Sequence, residues 1–233
     1  GDGTSNRQIA HSRGVQAGFV TVKSTSADGD WNSYHRSATG DLKLNLTDAQ
    51  TASRAIITAA DASTFTVSGA ANTNGVSYVA YLWAHDPSAE GIIQCGSFTT
   101  DASGSATVNL GWEPQYLIVK QSSTSDNWTI FDSARDMSLS DSRLLYANTS
   151  GVEIVNGVSA IRVSAVGFIA ALTANRTYIY LAIRRPNKPP TTGAQVYNAI
   201  ARTGTGAAAT VTGVGFAPDW IWMTYRGLAY GGK

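Results

Sequence analysis

GWEPQYLIVK, residues 111–120, lies over GVQAGFVTVK, residues 14–23, without a gap. Gly14 falls on Gly111 and Lys23 on Lys120, a shift of 111 − 14 = 97. The same shift carries DGDWNSY (28–34) onto SDNWTIF (125–131) and Trp31 onto Trp128. Further along, GVSYVAYLW (75–83) matches NRTYIYLAI (175–183), with Tyr78 on Tyr178 at a shift of 178 − 78 = 100. A third copy opens near the C-terminus. ATVTGVGFAPDWIWM (209–223) follows ATVNLGWEPQYLIV (106–119), with Gly215 on Gly111 and Pro218 on Pro114 at a shift of 215 − 111 = 104. A period of about 100 residues is too long for a solenoid or propeller blade and suits a β-sandwich.

Between these anchors the chain reads as short strands. The runs 18–23, 76–83, 105–110, 116–120, 161–164, 178–183 and 220–224 are rich in β-branched and aromatic residues and bounded by Gly, Asn, Asp or Ser. Only residues 139–146 suggest even one turn of helix. The expected fold is all-β, in tandem β-sandwich (jelly-roll-like) modules of about 100 residues. The first module spans 1–86, the second 87–190, and 191–233 begins a third. Pro-containing stretches at 85–91 and 184–193 mark the boundaries, because proline lacks the backbone donor that a central strand needs. The third copy stops where the residue matching Trp128 is due, so the natural protein is expected to continue, or the rest of this copy to be disordered.

Composition narrows the function classes. Hydrophobic residues make up 43%, enough for a packed core, and charged residues only 14%. A surface of hydroxyls and small side chains suits a durable particle-borne or extracellular protein. Seventeen basic residues against sixteen acidic leave a net charge of +1. No field of one sign is available to hold nucleic acid or an anionic membrane. No apolar run reaches the roughly 20 residues that span a bilayer, so membrane insertion is not expected. The one cysteine, Cys95, has no internal disulfide partner and reads as a small buried hydrophobe.

GWEPQYLIVK, DNWTIFDSARD and TYIYLAIRRPNKPP in the second copy, with GFAPDWIWMTYR opening the third, carry a family resemblance. The chain resembles repeats in virion structural proteins of tailed bacteriophages, of the fibre, tail or head-decoration type. The first copy keeps the spacing but has Ala17 in the proline position and His35-Arg36 where Asp132-Ser133 stand. The resemblance implies β-sandwich repeats, location at the virion surface, other virion proteins as partners and a homo-oligomer, a trimer by analogy with phage fibres. It carries no catalytic residues, and neither an enzyme nor a cofactor is expected.

The residues offer competing chemistries. His11, His35 and His85 stand in loop-like settings, without a Gly-x-Ser-x-Gly or His-Glu-x-x-His motif. Glu90, Glu113 and Glu153 do not recur between copies, as a glycosidase pair kept in each module would. Asp132 and Asp136 flank Arg135 and read as a salt-bridged turn. Asp28-Gly29-Asp30 and Ser125-Asp126-Asn127 are oxygen-rich enough for Ca²⁺, but Asx residues form ordinary turns and no metal is expected. Sequons at Asn45, Asn127, Asn148 and Asn175 arise from Asn in Ser/Thr-rich turns. The alternative to a structural role is a carbohydrate-binding, lectin-like module. In it Trp31 and Trp128 stack on a host surface polysaccharide instead of filling the core. In residues 177–190, Tyr178 and Tyr180 share one strand face, and Arg184 and Arg185 leave the strand end. These four residues are the candidate module or subunit interface.

Overall fold

A computed structural model describes residues 1–88, 90–135, 137, 142–156, 160–185 and 192–224. The chain divides into two compact units, Gly1–Pro186 and Asn187–Lys233. The first is all-β. Its first copy forms β1 (Arg7–Ala10), β2 (Ala17–Ser24), β3 (Asn32–His35), β4 (Leu42–Lys43), β5 (Ile57–Ala60), β6 (Thr64–Val67) and β7 (Tyr78–Ala84). Its second forms β8 (Ile93–Thr99), β9 (Ser105–Asn109), β10 (Pro114–Gln121), β11 (Trp128–Asp132), β12 (Ser142–Tyr146), β13 (Ile154–Asn156), β14 (Ile161–Ser164), β15 (Gly167–Ala171) and β16 (Thr177–Arg184). The helical turn expected at 139–146 is strand where it is described: Thr129 and Ile130 of β11 pair with Tyr146 and Leu145. Residues 139–141 lie outside the described residues. No helix among the described residues is long and apolar enough to cross a membrane.

The sheets repeat as the sequence does. The first copy has a four-stranded sheet, β4-β3-β2-β7, and a three-stranded one, β1-β6-β5. The second has a six-stranded sheet, β13-β12-β11-β10-β16-β8, and a three-stranded one, β14-β15-β9. Within the larger sheets, β4-β3-β2-β7 corresponds strand for strand to β12-β11-β10-β16. Even the irregularities recur. β2 slips register against β7 between Ala17 and Phe19, and β10 slips against β16 between Pro114 and Tyr116, at the same repeat positions. A bulge re-aims the residues beyond it, so both copies aim this strand alike. The glycine ahead of the strand is left-handed in both copies, φ 69° at Gly14 and 78° at Gly111, a conformation that other residues adopt only with strain.

Three hydrophobic clusters hold this unit together. Val20, Val22 and Tyr34 of the four-stranded sheet pack on Ile57, Phe65 and Val67 of its three-stranded neighbour. In the second copy Leu117, Val119, Phe131, Tyr178 and Tyr180 pack on Ile161, Phe168 and Ala170. The third cluster lies between the copies. Phe19, Ala38 and Leu42 of the first meet Cys95, Ile118, Trp128, Ile179 and Leu181 of the second. Strand alternation explains the division, since successive side chains point to opposite faces. Tyr178 and Tyr180 serve their own copy's core, and Ile179 and Leu181 serve the joint.

The joint is close-fitting. A Cβ on Gly18 would stand 2.7 Å from Cys95 Sγ, so no larger residue fits without movement. Cys95 is buried there, and desolvation pushes its thiol up to about 12. Polar groups also cross the joint. Trp128 Nε1 donates to Lys43 O (2.9 Å), Asp126 N to Thr47 O (2.8 Å) and Gln50 N to Ser122 O (3.0 Å). His35 Nδ1 accepts from Ser37 N (3.2 Å), so Nε2 carries the proton and donates to Tyr180 O (3.0 Å).

In the second unit the described residues, 192–224, contain a 3-10 turn at Gly193–Gln195 and no strand. The strand expected at 220–224 therefore has no ladder among the described residues. Trp220 is 76% exposed, and Ile221, Trp222 and Met223 are exposed with it. Even so, local geometry of the second copy persists. Gly215 is left-handed (φ 88°), as are Gly14 and Gly111. Asn198 Nδ2 donates to Val214 O (3.1 Å). A similar bond occurs in the second copy, where Gln94 Nε2 donates to Leu110 O (2.8 Å) just ahead of Gly111.

Candidate binding surface

The polar residues that the two copies share close turns. Asn45 Oδ1 accepts the backbone N–H of Trp31, and Asn148 Oδ1 that of Trp128, both at 2.9 Å. Asn45 Nδ2 donates to Asp30 Oδ1 (3.0 Å), and Asn148 Nδ2 to Asn127 Oδ1 (2.8 Å). Lys43 Nζ also reaches Asp30 (2.8 Å), and these bonds hold the Asp30 carboxyl below its ordinary value. Three of the four sequon asparagines, Asn45, Asn127 and Asn148, are thus structural fasteners. The fourth, Asn175, occupies a left-handed turn at φ 54°. Asn148→Ala leaves the Trp128 N–H unpaired beside a buried ring. It is expected to cost about 1–3 kcal/mol in urea denaturation.

Trp128 and Trp31 share a repeat position but not an environment. Trp128 is 2% exposed, with its ring 5.8 Å from that of Phe19. No sugar can reach either face, so the stacking role considered for Trp128 is corrected to a core role. The four-stranded sheet covers it. Trp31 is half-buried, and its ring stacks on Tyr81 at 6.1 Å and 24°. Tyr81 is 45% exposed and approaches Trp83 at 6.5 Å. Trp31, Tyr81 and Trp83 thus form a row of rings along the edge strand β7. Trp83 in turn meets Phe19 at 5.2 Å, which ties the row to the joint. Sequence reasoning missed Tyr81 because the matching position, Leu181, is aliphatic.

The candidate interface at the second copy's last strand is also rearranged. Tyr178 and Tyr180 are buried inside their own copy's core and present no ring to a neighbour. Tyr178 lies against Phe98 at 5.3 Å, and its hydroxyl donates to Gln121 Oε1 (2.9 Å). Tyr180 meets Phe168 edge-on at 5.5 Å. The face that meets the other copy is the aliphatic one, Ile179 and Leu181. Arg185 pairs with Glu113 (2.8 Å) at the start of β10 and remains half exposed. Arg184 is partly buried, and its backbone N–H donates to Ile92 O (2.8 Å).

Other polar groups are absorbed locally. Asp132 pairs with Arg135, which also reaches Glu153 (3.7 Å), itself bound by Arg143 (3.0 Å). Asp136 lies outside the described residues. Buried Lys120 donates to Thr47 O (3.2 Å) and Gln121 O (2.7 Å), and desolvation lowers its ammonium to about 8. Its counterpart Lys23 donates to Gly29 O (3.0 Å) near solvent. A cleft of ≈ 340 Å³ in the first copy is lined by Asp28, Asp30, Asn32, Lys43 and Tyr78 among others. The described residues bring no three His, Cys, Asp or Glu together at metal-binding distance.

Comparison with known families matches residues 1–186 to a domain of unknown function, DUF7483. The chain belongs to this family. The DUF7483 match spans both copies and ends where the first compact unit ends, at Pro186. The unit that the family describes is therefore the joined pair of copies. No curated protein and no solved structure matches the chain.

Proposed function

We propose that this DUF7483 chain is built of tandem β-sandwich modules of about 100 residues and serves as a virion structural protein of a tailed phage. It acts in a fibre, tail or capsid-decoration assembly, through shape, assembly with other virion proteins and surface display. The observation that carries this reading is what the copies hold in common. The bulge, the left-handed glycine and the Asn45 and Asn148 fasteners all serve architecture. A module repeated for catalysis would repeat its reacting groups. This one repeats its scaffold, and it joins the copies through a dedicated core. The test is immunogold labelling of purified particles from the host that encodes the chain. Label on intact particles is expected. Protein confined to the soluble lysate, with unlabelled particles, would overturn the reading.

One observation favours a second role, recognition of a host surface polysaccharide. The Trp31–Tyr81 stack offers a partly exposed aromatic surface, and exposed rings of this kind can stack on pyranose faces. If display includes glycan binding, Tyr81→Ala abolishes retention on a glycan array while thermal unfolding stays within a few degrees of the parent. Unchanged retention in Tyr81→Ala would remove this role.

A further inference from the structure

The cleft of ≈ 340 Å³ in the first copy is lined in part by Ser24, Ala27, Asp28, Asn32 and Lys43. The repeat gives each copy's version of this corner. At the shift of 97, Ser24 falls on Gln121 and Ala27 on Thr124. The ladders agree, with Ser24 opposite Tyr78 and Gln121 opposite Tyr178. They also match Lys43, opposite Asn32, to Tyr146, opposite Thr129. In the second copy these positions are filled. Gln121 is buried, accepts from the Tyr178 hydroxyl on Oε1 (2.9 Å) and donates from Nε2 to Thr124. Tyr146 packs against the core. In the first copy Ser24 instead closes its own turn, accepting from Ala27 N (2.9 Å), and the Tyr78 hydroxyl donates to Ala70 O (3.0 Å). Lys43 reaches Asp30 (2.8 Å). The cleft lies where Gln121, Thr124 and Tyr146 stand in the second copy.

One group in the cleft is left without a partner. Asn32 is 4% exposed, and strand alternation puts its amide on the core face of the sheet with Tyr34. Its Nδ2 makes a long bond to Asp30 O (3.4 Å), and among the described residues no group donates to its Oδ1. Buried amide oxygens are ordinarily paired. Around Asn32 stand the exposed Asp28 carboxylate, the Lys43 ammonium and the Ser24 hydroxyl, with Ile56 and Ala70 as an apolar wall. We propose that this cleft binds a single pyranose ring. A sugar hydroxyl donates and accepts at once. It therefore suits a corner where Asn32 Oδ1 and Asp28 accept beside Lys43 and Asn32 Nδ2, which donate. The C–H face of the ring lies against Ile56 and Ala70. A carboxylate ligand would meet Asp28 and Asp30, and a simple cation would meet Lys43, so a neutral polyhydroxyl ligand fits the charges better than either. The volume stands at the lower end of small-molecule sites, which suits one ring.

This site rests neither on placement in a virion nor on the Trp31–Tyr81 stack, which alternation puts on the opposite face of the sheet. The isotope-labelled full chain is titrated with free glucose, galactose, mannose and N-acetylglucosamine into the millimolar range and followed by amide NMR. At least one of these sugars is expected to shift the Asn32 side-chain amide and the Ser24 and Asp28 backbone amides saturably. Ser24→Gln places in the cleft the residue that the second copy accommodates. It is expected to abolish the response while thermal unfolding stays within a few degrees of the parent. Asp28→Asn, at an exposed position outside the strands, weakens binding several-fold, and Tyr81→Ala leaves it unchanged. No shift of the Asn32 amide with any of these sugars overturns the proposal. A response that survives in Ser24→Gln, or an affinity unchanged in Asp28→Asn, also overturns it. Loss in Tyr81→Ala with retention in Ser24→Gln assigns the sugar to the ring row and not to the cleft. The reverse pattern upholds the cleft even where the ring row binds nothing.

Discussion

Trp128→Ala is expected to be the most damaging single truncation in the Gly1–Pro186 unit, at about 4 kcal/mol by urea denaturation. Three losses combine. The indole fills space between the sheets of the two copies, at 2% exposure. Its removal leaves a cavity that the surrounding strands cannot close, because both sheets are fixed by their own cores. Its Nε1 bond to Lys43 O crosses the joint, so an acceptor on the first copy loses the shorter of its two hydrogen bonds and keeps the one from Leu46 N. Trp31→Ala, at the same repeat position, removes a half-buried ring whose main contact is the Tyr81 stack. It is expected to cost about 1 kcal/mol. Equal costs for the two variants would contradict the burial difference on which the core assignment of Trp128 rests.

The second large effect is acid weakening through His35. Its imidazole is buried in the joint, donating to Tyr180 O and accepting from Ser37 N. Desolvation, followed by the nearby Arg36, Arg54 and His85, lowers its value from 6.5 to about 4, against the opposing bond to Tyr180. Between those two values the unfolded chain binds a proton that the native chain does not, so stability falls as pH drops through this window. The loss amounts to about 3 kcal/mol by pH 4. Protonation also converts Nδ1 to a donor and breaks the Ser37 bond. His85, lowered chiefly by desolvation, adds in the same direction. The carboxylates held low by hydrogen bonds, such as Asp61 at about 2, act mainly below this window. Urea midpoints measured from pH 7 to pH 4 are expected to fall in the parent and to flatten in His35→Gln. An equal slope in both proteins would remove His35 from the account.

The sequence made the repeat legible because the aligned glycines, tryptophans and tyrosines are the residues that geometry constrains most. Gly14 and Gly111 need a left-handed backbone, and Tyr78 and Tyr178 both accept a threonine N–H on the hydroxyl, from Thr73 and Thr173. The longer strands, β2, β7, β10 and β16, rich in aromatic, aliphatic and β-branched residues, were also legible. Short strands such as β4 and β13 were not, because two or three residues carry no periodicity. The candidate site was less legible. Period-two alternation correctly separated Tyr178 and Tyr180 from Ile179 and Leu181, but it cannot say which face meets the other copy. That depends on which sheets stack, a property of the assembled unit. The divergence of Trp31 and Trp128 has the same origin. Residues 220–224 show the converse: among the described residues their strand propensity finds no partner strand and forms none.

The central claim is that both copies form one unit through the core built around Phe19 and Trp128. Equilibrium urea unfolding of the full chain, followed by far-ultraviolet circular dichroism and by tryptophan fluorescence, tests it most directly. The joined account predicts one transition, coincident by both probes, with a denaturant slope appropriate to residues 1–186 unfolding together. Two separated transitions, each with the slope of a single copy and unmoved relative to each other by Trp128→Ala, would contradict it.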